Sequence, residues 1–230
     1  MANHLDLEEQ EQLDQLKHFW KQYGNAITWA LILVLGTFAS WNFYQYWQRG
    51  QSVQAAAMFD EMERVVKVAD SEKIDRAFSE MKERFPSTTY AQQAGLLVAK
   101  HYYVLSNVDA TKAALKWVAD KSSDTGYQSI AKLRLAGVLM DGKSYDEALK
   151  LLDGSFPANF SGLASDRRGD IFLLQGKTKD AIPEFENAFK NFEERSEYRR
   201  LVEVKLNSLG IDPSTRANAR IAVLASEGKK

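Results

Sequence analysis

Two stretches decide the fold: GKSYDEALKLL at residues 142–152 and GKTKDAIPEFENAF at residues 176–189. Each begins with a turn glycine and continues as a helical pattern that carries an alanine in its first turns. Weaker copies occur upstream, and the marker alanines of the four copies are Ala77, Ala113, Ala148 and Ala181. These alanines are 36, 35 and 33 residues apart. A period of about 34 residues with two helices in each unit is typical of tetratricopeptide repeats.

Small residues also recur in the helix that precedes each of the two clearest stretches. Ala136 or Gly137 comes before Ala148, and Gly169 comes before Ala181. Antiparallel helices approach closely where these side chains are small. Because one unit cannot bury its own apolar stripe, the units stack and curve around a concave groove. We therefore predict an all-α fold with a tetratricopeptide-like α-solenoid, and an unrelated helical bundle is the alternative.

The N-terminal part contains a long stretch without charge, from Gln22 to Gln48. Its centre, residues 27–46, reads ITWALILVLGTFASWNFYQY. Twenty helical residues rise about 30 Å, the thickness of the hydrocarbon core of a bilayer. Aromatic side chains gather at both ends, and the predicted membrane-interface residues are Trp20, Tyr23, Trp41, Tyr46 and Trp47. The alternatives are a buried core helix and a cleaved signal peptide, but the long acidic start is unlike that of a signal.

The flanking charges predict the orientation of this helix. Lys17 and Lys21 precede it closely, whereas Arg49 is the nearest cation after it. Because cations favour the cytoplasmic side, the N-terminus is expected inside. We predict four segments: a cytoplasmic segment 1–24, a transmembrane helix 25–48, a repeat domain 49–209 outside the cytoplasmic face, and a flexible tail 210–230.

Composition argues against several classes of function. The net charge of −1 provides no basic surface for nucleic acid. Cysteine is absent, which excludes disulfides, thiolate catalysis and cysteine-based metal sites. The three histidines are far apart in the sequence, and no two have the i, i+4 spacing of a helical metal site. We expect no metal and no other cofactor.

One segment resembles a nucleotide-binding motif. Residues 137–144, GVLMDGKS, match the phosphate-loop pattern and precede a helix. A phosphate loop must follow a buried strand, whereas residues 130–136 (IAKLRLA) have the pattern of a helix. We therefore predict that the protein is not an enzyme, and a nucleotide-binding enzyme remains as an alternative.

The first helix of each repeat is expected to line the concave groove. On the predicted register, the groove residues are Tyr102, Arg134, Arg167 and Asp170. Aromatic and arginine side chains are favoured as anchors in protein interfaces. The alternative for each residue is a role in packing or ordinary solvation. We predict a groove that accepts an apolar or mixed segment of a partner protein.

An ordered set of short segments resembles the YfgM-like family over residues 8–209. These segments are KHFWKQYG at 17–24, LRLA at 133–136, ALKLLD at 148–153, DRRGD at 166–170, GK at 176–177 and KLNSL at 205–209. Members of that family are bacterial inner-membrane proteins with a periplasmic tetratricopeptide domain, and they are ancillary subunits of the Sec translocon. The tail 210–230 extends beyond the usual end of the family.

The resemblance implies a single-pass inner-membrane protein with a cytoplasmic N-terminus and a periplasmic domain. The partners that it implies are the SecYEG translocon, the periplasmic chaperone PpiD and secreted client polypeptides, in addition to membrane lipid. The implied function is that of an interaction module that assists secreted or envelope proteins after translocation. A repeat adaptor of another envelope assembly or stress-signalling complex would share every one of these sequence features, and it remains the alternative.

Overall fold

A computed structural model of the chain describes residues 7–213, with side chains from Glu11 onward. This part of the chain forms nine α-helices and no strand. The helices are α1 (Leu7–Val68), α2 (Ser71–Arg84), α3 (Thr89–Val104), α4 (Val108–Lys121), α5 (Thr125–Asp141), α6 (Tyr145–Leu152), α7 (Ala158–Leu174), α8 (Thr178–Asn191) and α9 (Glu197–Ser208). The all-α prediction is confirmed. Residues 214–230, most of the predicted tail, lie outside the described residues.

The chain divides within α1 into two compact units, at residues 53 and 54. In the first unit, a window of 18 residues has a mean hydropathy of 1.5, and none of it is buried. The hydroxyl groups of Thr28, Thr37 and Ser40 donate to backbone carbonyl oxygens one turn earlier, at 2.7–2.8 Å. Such internal pairing of polar groups is what a bilayer interior requires. Within residues 7–213 this is the single helix long and apolar enough to cross a membrane, and its exposure argues against a core helix.

The second unit is a stack of helix pairs in chain order. α3 packs on α4, α5 on α6 and α7 on α8, while α4, α6 and α8 each pack on the first helix that follows them. The end of α1 is the first helix of the earliest pair, because Ala55 and Met62 are fully buried in the same core as α2 and α3. The stack therefore contains four helix pairs, and α9 covers the last of them.

A similar turn joins the two helices of every pair. One residue in each turn has a positive φ, and these residues are Ala69 (60°), Ser106 (58°), Lys143 (58°) and Gly176 (72°). In the last three turns the next N–H group donates back to the first helix, as from Ser144 to the Leu139 carbonyl oxygen at 2.8 Å, whereas in the first turn the Ala69 N–H donates to the Val66 carbonyl oxygen at 3.1 Å. This arrangement satisfies carbonyl groups at the end of the first helix. These turn residues are 37, 37 and 33 residues apart, and they define the repeat in the structure.

The turns correct the predicted register of the marker alanines. The fifth residue after each turn residue is buried, and these positions are Ile74, Thr111, Ala148 and Ala181. Ala113, predicted to pack between helices, is instead exposed, and Ala77 is only half-buried. The two early repeats have no alanine at the packing position, so alanine spacing alone shifted their register.

In the last three pairs a small residue lies seven positions before the turn residue, at Ala99, Ala136 and Gly169, whereas the first pair has Met62 there. Ala136 occupies this position in α5 and is fully buried, whereas Gly137 is not. Gly169 occupies it in α7, where a β-carbon would lie 2.6 Å from the ring of Phe185. No real β-carbon makes so short a contact, so the absence of a side chain at Gly169 allows α7 and α8 to pack at this distance.

Candidate protein-binding groove

A groove with a volume of about 600 Å³ lies on the second unit, between α3, α4, α5 and α7. Its apolar lining includes Leu115, Leu133, Val138 and Met140, and its polar lining includes Lys100, Tyr103, Arg134, Asp141 and Arg167. Apolar surface with a few placed polar groups is the usual composition of a binding site. First helices supply most of this lining, as expected for the concave side of a repeat stack.

The helical period of α5 brings its groove residues together. Arg134, Gly137, Val138 and Asp141 follow one another at intervals of three, one and three residues, and therefore form one stripe along the helix. Val138 and the other buried residues Leu135, Ala136 and Leu139 belong to the core. The part of the groove that α5 contributes is thus one face of a helix whose position the core fixes.

Arg134 and Arg167 come from different repeats and line the same groove. Arg134 is exposed and Arg167 is half-buried. An Nη atom of Arg167 lies 3.9 Å from the point where Gly137 would carry a β-carbon. Neither guanidinium makes a hydrogen bond or ion pair within the side chains described from residue 11 to 213. Both are therefore free to bind a ligand.

The structure places Tyr103, and not Tyr102, in the groove. Tyr102 is only 4% exposed, and its hydroxyl donates to the Asp75 carboxylate at 2.5 Å. Burial and this hydrogen bond raise the pKa of Tyr102 to about 12. Tyr103 is 52% exposed and donates to Asp141 at 2.8 Å. Consecutive residues point about 100° apart around a helix, so one step in register exchanges the packed ring for the exposed one.

Asp170 also has a role other than the predicted one. It accepts a hydrogen bond from the Lys205 ammonium of α9 at 2.7 Å, and the buried Asp166 accepts another at 2.7 Å. Burial raises the pKa of the Asp166 carboxyl, and the bond from Lys205 offsets part of this effect. These contacts hold α9 against α7, away from the groove lining. The i, i+4 spacing of the two aspartates was a signal in the sequence for this shared partner.

The phosphate-loop-like segment, residues 137–144, is the end of a helix and the short turn after it. Residues 137–141 are the last residues of α5, and their backbone continues a helix instead of leaving a strand. Their N–H groups therefore point along the helix and cannot surround a phosphate. Nor does any group of three His, Asp or Glu side chains within the described ranges lie close enough to hold a metal ion.

The predicted membrane-interface residues all lie on α1 and are exposed. They are Trp20, Tyr23, Trp41, Tyr46 and Trp47. Their rings occur near the two ends of the apolar window, where amphipathic aromatic groups settle at the lipid headgroups.

The apolar helix, the stack of helix pairs and the groove define a class of protein: a helical-repeat interaction protein with a candidate membrane anchor. A family model described as a tetratricopeptide repeat-like domain matches residues 17–211. Relatives named ancillary SecYEG translocon subunit are similar along most of the chain. The Neisseria gonorrhoeae relative is 32% identical over 91% of this chain and 100% of its own length. Those of Haemophilus influenzae and Escherichia coli are 29% and 24% identical over 88% of this chain, and over 98% and 97% of their own lengths.

The chain belongs to this family, the YfgM-like tetratricopeptide proteins, and the predicted resemblance is confirmed.

Proposed function

We propose that this protein is an ancillary subunit of the SecYEG translocon, anchored in the bacterial inner membrane by residues 25–48. The observation that carries the proposal is the similarity to relatives of that name over 97–100% of their length, which includes both the apolar helix and the repeats. Because this chain retains both the apolar helix and the repeats, we expect it to retain a membrane anchor and the translocon association that its relatives' name describes. The repeat domain is a binding module in this arrangement and has no catalytic role.

The finer proposal concerns the partners of the repeat domain. We place this domain in the periplasm, where it meets polypeptides that leave the channel and associates with the chaperone PpiD. The groove between α3, α4, α5 and α7 is its proposed docking surface, with Arg134 and Arg167 as anchors. Arginine is favoured at such positions because its planar group makes several hydrogen bonds at once.

Gentle extraction of the tagged full-length protein from native membranes tests the association. We expect SecYEG subunits and the chaperone to co-purify. Replacing residues 27–46 with an unrelated apolar span, and separately removing the repeat domain, will show which unit holds each partner. If neither partner is recovered while another envelope complex is, the proposal is wrong and the protein is an adaptor of that complex.

Site-directed labelling tests the orientation. Because the chain contains no cysteine, a single introduced thiol is the only site that a maleimide can modify. Gln12→Cys and Lys179→Cys are both at exposed positions, one before and one after the apolar helix. In intact spheroplasts a membrane-impermeant maleimide should label Lys179→Cys at once and Gln12→Cys only after lysis. The reverse pattern would contradict a periplasmic repeat domain.

A further inference from the structure

The groove carries an excess of positive charge. Lys100, Arg134 and Arg167 line it, whereas Asp141 is its one lining carboxylate within the described part of the chain. The Tyr103 hydroxyl already donates to Asp141. The protein as a whole has a net charge of −1, so the cations of the groove are a local feature.

The two arginines line the same groove, and neither forms a hydrogen bond or ion pair with a carboxylate among the described side chains, although Asp166 interacts with Arg167 through charge. Arg167 reaches over Gly137, and Gly137 follows Arg134 by three residues on the same helix. Residues at this spacing are about 5–6 Å apart at their β-carbons. Like charges in one groove repel each other, and a bound anion would offset that repulsion. The geometry therefore favours a bound anionic group.

The neighbouring Arg168 has a structural role, and it differs from Arg134 and Arg167 in its hydrogen bonds. Its guanidinium donates to the Glu184 carboxylate at 2.9 Å, to the Leu152 carbonyl oxygen at 2.9 Å and to the Ser165 hydroxyl at 3.0 Å. These bonds join α7 to α6 and α8. Arg167, which precedes Arg168 in the chain, makes none of these bonds, so the packing of the repeat does not account for its charge.

The floor beside the arginines is apolar. Leu115, Leu133 and Met140 line the same groove, and the side chains of Leu133 and Met140 are partly exposed. A small anion would leave this surface uncovered. A polypeptide segment with a bulky apolar side chain next to its carboxylates would cover both parts at once.

We infer that the groove binds an acidic segment of a partner protein, with Asp or Glu carboxylates on Arg134 and Arg167 and an apolar side chain on the floor. The inference rests on the proposed function in assigning a protein partner, and it adds the chemistry of the segment that the partner must supply. Bidentate arginine–carboxylate bonds provide the specificity.

Peptide binding to the full-length protein in neutral lipid nanodiscs tests the inference. The probe is a short fluorescent peptide of leucine and glutamate with both termini blocked, and its counterpart has glutamine in place of every glutamate. Fluorescence anisotropy should show binding of the glutamate peptide at least about tenfold tighter than that of the glutamine peptide, since bonds between charged groups are the stronger ones. Salt should weaken this binding, because it screens exposed charges.

The variant Arg134→Gln with Arg167→Gln should bind the glutamate peptide at least about tenfold more weakly. Its melting temperature should change little, because neither guanidinium makes a hydrogen bond or ion pair with the described side chains. The matched control is Arg195→Gln with Arg200→Gln, which removes the same charge at exposed positions outside the groove lining. This control should bind within about twofold of the unmodified protein, as expected for surface charges remote from a site.

Equal affinity for the two peptides, no binding of either, or equal losses in the groove and control variants would each overturn the inference. Co-purification with the translocon is scored separately on the same variants. If the peptide result fails while SecYEG is still recovered, the acidic-segment inference is wrong and the proposed function stands. If the peptide result holds while SecYEG is never recovered, the groove chemistry stands and the proposed function fails.

Discussion

Phe185→Ala should lower the free energy of unfolding of the repeat domain by about 3–5 kcal/mol, the cost typical of removing a buried aromatic ring. Phe185 is fully buried in the core formed by α8 and α9. Its ring lies against Gly169 of α7, and the Lys205 ammonium of α9 is 5.2 Å from the ring centroid. The ring therefore joins three helices, and its loss leaves a cavity between elements that the chain cannot easily close.

Chemical denaturation of the full-length protein in detergent, followed by far-ultraviolet circular dichroism, measures this effect. Leu174→Ala is the control, because Leu174 is 55% exposed on the same pair of helices and should change stability by less than about 0.5 kcal/mol.

Gly169→Ala should cost about 1–3 kcal/mol by pushing a methyl group into the ring of Phe185. Combining it with Phe185→Leu should recover part of that loss, because the two sites share one space. Purely additive losses would contradict the close approach.

Lys205→Met should destabilise the fold by about 3 kcal/mol, the lower end of the range for breaking a buried ion pair. Lys205 donates to both Asp166 and Asp170 at 2.7 Å, and the side chain of Asp166 is only 5% exposed. Without the ammonium, the Asp166 carboxylate stays buried with no opposite charge bound to it. Adding Asp166→Asn should restore much of the stability, because the buried charge is then gone. Failure of this rescue would show that Lys205 acts mainly through packing.

The loss of stability in Lys205→Met should become smaller as the pH falls. Burial raises the pKa of Asp166 above its ordinary value of 3.8, and Lys205 offsets part of that rise. A carboxyl with a raised pKa in the folded state contributes stability below its unfolded pKa and loses it as pH rises through the folded pKa. Lys205→Met should therefore regain stability relative to the unmodified protein as pH falls towards about 4. Denaturation at a series of pH values checks this, and a loss in the variant that is constant with pH would contradict it.

Local patterns in the sequence were sufficient to predict the kinds of element. The charge-free stretch of residues 22–48 predicts one long apolar helix, and the structure contains it. The repeated pattern around Ala148 and Ala181 predicts helix pairs, because the helical period and the turn residues are encoded within each unit. The resemblance of short ordered segments similarly predicts the family, which the match over residues 17–211 confirms.

Which face each side chain occupies was decided only by the tertiary structure. Ala69 and Ser106 adopt positive φ in the two early turns without being glycine, so these turns lack the glycine that marks the turn at Gly176, and only the N-cap residues Asp70 and Asn107 signal where those second helices begin. An error of one residue rotates a side chain by about 100°, which is why Tyr102 was predicted in the groove and Tyr103 lies there. Asp170 has its partner 35 residues later in the chain, on α9. Contacts of this kind depend on how whole helices pack, and a local pattern in the sequence does not contain that information.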